Sequence, residues 1–430
     1  MFKRIVNLTR QPMVQNTLAL YGVTIANALL PLVLIPYLAR VLKPDAWGMV
    51  LFAQTTSIWL GLLIEYGFWF SGTREVARHA DQPEKLREIV AGVIGAKLLL
   101  CVASVAAAFV TWMVVPVFQD RPMLLVGALW IAVAQGLGPL WYFQGVERMR
   151  LPAALDVAFR VLYVISVFIW IKEPGDAPLV LVLQATSITA ALCVTLGLMY
   201  REVGVSFCAL RSAWEVLREG WHLFLFVALQ TVYGKANSFL LGLVTAPAVV
   251  SIYGGPERLL HGIRGLTAPI NQVLYPRLTY LVKHDYSAAR KTARVGTLVM
   301  AAIGVCMGLS LTLGAPWFVS VMFGPGYEGA VPVLRVLGLV CPLSAVSSVL
   351  GVRWMFPLGM ERTYNGIVVL GAVLDVVLLA ALVHAHQAMS AAYAVLATEA
   401  FITITVFVLL WRRKLNPFQK ASVPGLEVSS

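Results

Sequence analysis

The chain has little charge. Of its 430 residues only 13% are Asp, Glu, Lys or Arg, while 59% are hydrophobic and the mean hydropathy is +0.81. A soluble domain carries roughly 25% charged residues, so a soluble enzyme is excluded. Cysteine is scarce as well. Cys101, Cys193, Cys208, Cys306 and Cys341 fall in apolar runs or on the side of the chain termini, where no disulfide is expected. The spacing GxxxxGK[ST] does not occur, and no stretch between apolar runs has room for a nucleotide-binding cassette, which argues against ATP as the energy source. His384 and His386 have no Cys or carboxylate spaced to join them, so neither a metal site nor a cofactor is expected. The apolar runs are continuous rather than alternating, which rules out a β-barrel.

What the chain has in quantity is apolar sequence of bilayer length. About twelve spans can be placed, near 15–38, 47–71, 89–114, 123–146, 153–171, 178–199, 221–245, 248–275, 295–319, 331–355, 364–384 and 387–411. The expected fold is therefore all-α, a polytopic membrane protein. The apolar stretch that follows Lys3, Arg4 and Arg10 is too long for the core of a cleavable signal peptide. The net charge of +12 and pI of about 9.6 would suggest nucleic acid on a soluble protein. Here the distribution gives another explanation. With alternate loops assigned to opposite sides, 22 of the 33 Lys and Arg lie on the side of both termini and only Arg40, Lys43, Arg121 and Lys172 in the opposite loops. The positive-inside rule then puts both termini in the cytoplasm, with no nucleic-acid partner implied.

Residues 201–220 form a basic linker that separates two six-span halves, 1–200 and 221–411, followed by a tail, 412–430. An internal repeat supports the division: Pro44 and Arg74 stand at the same interval as Pro247 and Arg277. Two six-helix lobes around a cavity are the architecture this outline implies.

Ionisable groups inside spans are costly and mark function or pairing. The densest set lies in the eighth span, where Glu257, His261 and Arg264 share one helical face with Gln272 and Tyr275 near the same line. Gly254-Gly255-Pro256 just before it reads as a helix break. Arg258 and Lys235 fall near mid-bilayer: Lys235 lies roughly 21 Å into its span and Glu257 roughly 14 Å into the next. This makes Lys235, Arg258 and Arg264 candidate contacts for an anionic solute, with Lys97 and Arg335 as further members that could instead snorkel. Glu65, Glu257, Asp375 and Glu399 are candidate coupling carboxylates. Asp375 and Glu399 sit at similar depth, roughly 17 and 18 Å into antiparallel spans. Asp156 and Arg160 read as a plain i,i+4 pair. Trp141-Tyr142-Phe143 reads as an interfacial anchor rather than a sugar-stacking surface.

Several motifs stand in a recognisable order. They are Asn16-Thr17 and Leu20-Tyr21-Gly22, then Pro36-Tyr37-Leu38-Ala39-Arg40-Val41-Leu42 with Trp47-Gly48. Glu65-Tyr66-Gly67-Phe68 and Ser71-Gly72-Thr73-Arg74-Glu75-Val76-Ala77 close the second span, and Pro139-Leu140-Trp141-Tyr142-Phe143-Gln144-Gly145-Val146-Glu147-Arg148-Met149 the fourth. Glu257-Arg258, Gln272-Val273-Leu274-Tyr275-Pro276-Arg277 and Phe323-Gly324-Pro325-Gly326-Tyr327 with Arg335 complete the series. Together these resemble the Wzx-type polysaccharide repeat-unit flippases of the multidrug/oligosaccharidyl-lipid/polysaccharide (MOP) exporter superfamily. Glu65 stands where a typical member carries Asp.

The resemblance implies a flippase of the bacterial inner membrane, not an enzyme. Its substrate would be an undecaprenyl-pyrophosphate-linked oligosaccharide. That unit would feed O-antigen, capsule or exopolysaccharide assembly alongside a polymerase and a chain-length regulator. Two rivals are a cation-coupled drug antiporter of the same superfamily and a repeat-unit polymerase. The antiporter calls for a cavity lined by carboxylates, whereas seven cations face five carboxylates within the spans. The polymerase calls for a large outer loop, which the chain lacks.

Overall fold

The computed structural model describes residues 12–206 and 210–419. Lys3, Arg4, Arg10, Cys208 and the end of the tail beyond residue 419 lie outside them. Among the described residues the regular structure is entirely helical. Nine helical stretches there are long and apolar enough to cross a membrane, and the first, Leu32–Arg78, takes in the second expected span and the end of the first. The expected spans 221–245 and 248–275 are not among the nine. Both fall on helices whose middles carry polar groups, Gln230, Lys235 and Asn237 in one and Glu257, Arg258, His261 and Arg264 in the other.

Helix α1 runs from Pro12 to Glu65 and is kinked at Lys43 (φ 61°, ψ 171°). The following Pro44 bars Lys43 from the α region, so one apolar tract becomes two membrane-crossing halves. Then come α2 (Phe68–Arg78), α3 (Pro83–Val114), α4 (Pro116–Asp120), α5 (Pro122–Gly136), α6 (Leu140–Gly145), α7 (Arg150–Trp170) and α8 (Ala177–Val203). They are followed by α9 (Leu210–Val244), α10 (Pro247–Gly265), α11 (Ala268–His284), α12 (Tyr286–Leu313) and α13 (Ala315–Met322). Last are α14 (Ala330–Ser348) with a π-helical continuation over Val349–Met355, α15 (Glu361–His386) and α16 (Ala388–Arg412). Several helices open on proline, whose missing N–H costs nothing in a first turn. Asp285 caps α12 by accepting from the Ala288 N–H at 2.9 Å.

Three spans expected to be continuous are broken. The second ends at Glu65, where Tyr66 (φ 48°) and Gly67 (φ 83°) turn left-handed before α2. The fourth ends at Gly136, and the chain re-enters a helix only after Pro139. The eighth ends at Gly265, closed by i→i+3 bonds from Leu266 N to Ile263 O and Thr267 N to Arg264 O, both 3.1 Å. This corrects the expected break at Gly254-Gly255-Pro256. Helix α10 continues through Pro256, and the two glycines serve close packing instead. A Cβ on Gly255 would lie 2.8 Å from the Phe323 ring, and one on Gly254 3.2 Å from Ser238 Oγ. The break comes at Pro269, which cannot donate to the Gly265 carbonyl. Gln272 and Tyr275 therefore stand on α11 and do not extend the stripe of α10.

The chain groups into two compact units, Met1–Gly255 with Val321–Tyr327, and Pro256–Ser320 with Glu328–Ser430. In the first, Phe68, Val76, Trp141, Tyr142 and Phe143 form part of one buried cluster with residues of α3, α8 and α9. The aromatic run is thus core, with Trp141 1%, Tyr142 2% and Phe143 3% exposed, which corrects its reading as an anchor. The Phe323-Gly324-Pro325-Gly326-Tyr327 motif belongs to the same unit. Its Tyr327 hydroxyl donates to the Ala39 carbonyl at 3.0 Å. Burial first, and the Asp45 charge second, push the Tyr327 phenol's pKa upward.

In the second unit the chain after α16 folds back. Trp354 Nε1 donates to the Leu415 carbonyl at 2.9 Å, and Arg290 donates to the Asn416 and Gln419 carbonyls.

Candidate functional site

Helix α10 presents Glu257, His261 and Arg264 one turn apart, as its period requires. Glu257 and Arg258 are half-buried, His261 is exposed, and each of the three makes a polar, charged or ring contact. Arg264, in the last turn, points a guanidinium Nη2 at Glu399 Oε1 of α16, 3.4 Å away. The carboxylate is 4% exposed and the guanidinium 34%. Arg264 therefore has one side against a buried charge and another toward open space. That space is a cavity of about 200 Å³ walled by Thr267, Asn271, Met300, Cys341 and Ser344, room for on the order of six waters. Asn271 Nδ2 donates to Thr267 Oγ1 at 3.4 Å, and its Oδ1 is buried without a hydrogen-bond partner.

Glu399 leads to the second carboxylate. Its neighbour Thr398 donates to the Gly371 carbonyl (3.4 Å) and lies 3.5 Å from Asp375 Oδ1, and Asp375 is itself buried. Arg264, Glu399 and Asp375 thus belong to one connected set across α10, α15 and α16. Nearby, the π-helical turn holds Arg353, whose Nη1 donates to the Ser348 carbonyl (2.9 Å) and hydroxyl (2.6 Å). Such turns concentrate at functional positions. Thr398 and Asn271 were not singled out in the sequence. The signal available was their i,i+1 and i,i+4 relation to Glu399 and Thr267.

Lys97 lies elsewhere, in the first unit. It is 0% exposed and does not snorkel. Its ammonium donates to Glu65 Oε2 (3.1 Å), Gly136 O (2.7 Å) and Gly138 O (3.4 Å). Lys235 and Arg335 reach the protein surface, as does Arg160, which pairs with Asp156 at 2.9 Å as expected. Of the seven cations counted within spans, three are therefore exposed. Lys235, like Arg258, makes a contact of its own.

Comparison with known proteins decides the family. The family model described as "Polysaccharide biosynthesis protein" matches residues 13–282, well over half the chain. The chain belongs to this family. Its relatives include a candidate O-antigen transporter of Escherichia coli strain K12, 26% identical over 95% of this chain and 99% of that protein. Another, from Shigella dysenteriae, is 27% identical over 91% of this chain and 98% of its own length. Among solved structures, the lipid II flippase MurJ in an inward closed conformation aligns with a TM-score of 0.70, over 93% of this chain and 87% of that one, at 10% identity. A Vibrio cholerae MATE transporter aligns at 0.55, over 96% and 99%, at 15% identity. These similarities establish the all-α fold of the MOP superfamily. This family member is a multi-pass membrane transporter of the Wzx type, as its motifs imply.

Proposed function

We propose that this transporter flips undecaprenyl-pyrophosphate-linked oligosaccharide repeat units across the bacterial inner membrane by alternating access, for O-antigen, capsule or exopolysaccharide assembly. One observation carries the reading: Arg264 stands at the lip of a polar cavity, on a helix that breaks directly after it. Arg offers phosphate oxygens a planar fork of donors. The cavity is too small for several sugars, so it suits the phosphate end of the headgroup.

Arg264 and Arg258 form the proposed binding set of the second unit, and Lys235 is proposed as a separate substrate contact in the first. Lys97 is left out, because its donors are engaged, and Arg335, exposed like Lys235, stays a further candidate. Asp375 and Glu399 are the proposed proton carriers. Glu257 stays beside the binding set, and Glu65 serves Lys97. The halves 1–200 and 221–411, linked through 201–220, are the bodies that rock, with both termini and the tail 412–430 in the cytoplasm. The polymerase and the chain-length regulator are the partners that take the product.

A repeat unit cannot cross hydrocarbon unaided, because its hydroxyls would lose their hydrogen bonds and its pyrophosphate its hydration. Loss of the transporter should therefore leave complete, unpolymerised lipid-linked units on the cytoplasmic leaflet. In sealed right-side-out vesicles they should be hidden from a glycan probe, and inversion should expose them. Units found unpolymerised on the outer leaflet would overturn the proposal and place the protein after translocation.

A further inference from the structure

Two of the three helix breaks meet at one ammonium. Helix α1 ends at Glu65 and α2 begins at Phe68. Helix α5 ends at Gly136 and α6 begins at Leu140. Glu65 stands on both sides of its break: Oε1 accepts from the Trp69 N–H at 3.1 Å, capping the first turn of α2, and Oε2 takes Lys97. The Gly136 and Gly138 carbonyls flank the other break, where helix-end carbonyls lack partners of their own, and both accept from Lys97. The aromatic face of Phe68 lies 5.8 Å from the same nitrogen. An ammonium has three donors, and all three are used.

The short helices beyond the breaks are fitted to each other without slack. A Cβ on Gly72 would lie 2.7 Å from the Trp141 ring, and one on Gly145 2.6 Å from Val76. Thr73 Oγ1 donates to the Trp141 carbonyl at 3.0 Å. These contacts give a physical reason for the Ser71–Ala77 and Pro139–Met149 motifs, which a binding site does not use. Stiff packing beyond two short, non-helical joints is the geometry of a hinge, whose joints are a few residues at element ends.

We infer that α2 and α6 form one rigid elbow, and that Lys97 is the positioning residue that sets its angle to α1, α3 and α5 while the transporter changes conformation. Lys97 acts through the two joints and never touches the headgroup. A buried ammonium suits this role because it can hold two breaks at once, through a carboxylate at one and carbonyls at the other.

Hydrogen exchange on the purified full-length protein tests the assignment without relying on the flippase reading. Lys97→Met should speed exchange in segments 66–78 and 137–146 together, by about tenfold or more. Glu65→Gln keeps Lys97 on the Gly136 and Gly138 carbonyls and should speed 66–78 alone. Should Lys97→Met fail to fold, the selectivity of Glu65→Gln still decides. Unchanged protection in Lys97→Met, or protection in Glu65→Gln that is unchanged in both segments or lost equally in both, overturns the pin. In reconstituted vesicles given the lipid-linked unit, Lys97→Met should lower the maximal rate by about tenfold with half-saturation unchanged. A raised half-saturation at an unchanged maximal rate would make Lys97 a headgroup contact and overturn the inference. Wild-type vesicles that do not move this substrate would sink the flippase reading and leave the exchange result standing.

Discussion

The Arg264–Glu399 pair is where a structural role and a binding role can be separated by measurement. At 3.4 Å and an effective dielectric of about 20, the gross attraction is about 5 kcal/mol. The guanidinium is one-third exposed, so solvent screens it and the coupling should fall to about 1–2 kcal/mol. Arg264→Ala would also leave a 4% exposed carboxylate without its guanidinium. The cost should be about 3 kcal/mol, the low end for breaking a buried pair. Glu399→Gln should cost less, because the amide still accepts a hydrogen bond. The double variant Arg264→Ala/Glu399→Gln should then lose less than the sum of the two. Unfolding in mixed micelles supplies the cycle, and vesicle transport supplies the second axis. If the double variant recovers stability and remains inactive while Glu399→Gln alone still transports, Arg264 contacts substrate. If both recover, Arg264 is a structural partner of Glu399 and the binding set loses its central member. Additivity within about 0.5 kcal/mol would refute the pair's energetic reality altogether.

Three further outcomes are expected. Gly48→Ala would place a Cβ 1.7 Å from the Pro247 carbonyl oxygen, so two backbones must part; a loss of about 3 kcal/mol or more in the same unfolding assay is expected, and wild-type stability would refute it. Asp375→Asn should lower transport and flatten its dependence on the pH gradient, whereas an unchanged gradient dependence in this variant and in Glu399→Gln would leave both carboxylates structural. The raised phenol pKa of Tyr327 means that its neutral form is favoured in the fold, so its contribution is fully present below about pH 10 and is lost as pH rises beyond. Tyr327→Phe should shed that part of the alkaline loss while giving up one hydrogen bond, about 1 kcal/mol, and an unaltered alkaline limb in a pH-dependent unfolding series would contradict it.

The apolar runs made the membrane helices legible, because hydropathy over bilayer length admits few other structures. The polar face of Glu257, His261 and Arg264 was legible from period alone. The position of the break was not. Pro256 follows two glycines and Pro269 follows Thr267-Ala268, and by local rules the first looks the stronger breaker. Packing decided otherwise, since Gly254 and Gly255 are held against Ser238 and Phe323. The burial of Trp141-Tyr142-Phe143 depends on Gly72 and Gly145, and the Gly72 partner lies some seventy positions away, beyond any local pattern. Lys97 could be seen as an unusual residue in an apolar run. Two of its three acceptors are backbone carbonyls, which leave no signature in side-chain sequence.

That last point bears on how the chain's excess of cations is to be read. With 33 Lys and Arg against 21 Asp and Glu, a membrane transporter invites the conclusion that its cations await an anionic headgroup. Several are already engaged with main-chain oxygens at helix ends or just beyond them: Lys97 at Gly136 and Gly138, Arg353 at Ser348, Arg87 at Val203, Lys172 at Phe168 and Arg290 at Asn416. Where such a carbonyl lies within the bilayer, hydrocarbon offers it no water, so a long cationic side chain is a direct way to satisfy it. Such a cation spends its donors yet keeps its charge. It can still add to the field that draws an anion inward, but it cannot supply the directed hydrogen bonds that hold one. Charge counting therefore overstates the binding set and understates the field. The two contributions respond differently to substitution. A neutral donor at Arg353, such as Gln, should keep the Ser348 contact and weaken substrate capture only as much as salt screening does, whereas a neutral donor at Arg264 should remove a contact that salt does not imitate.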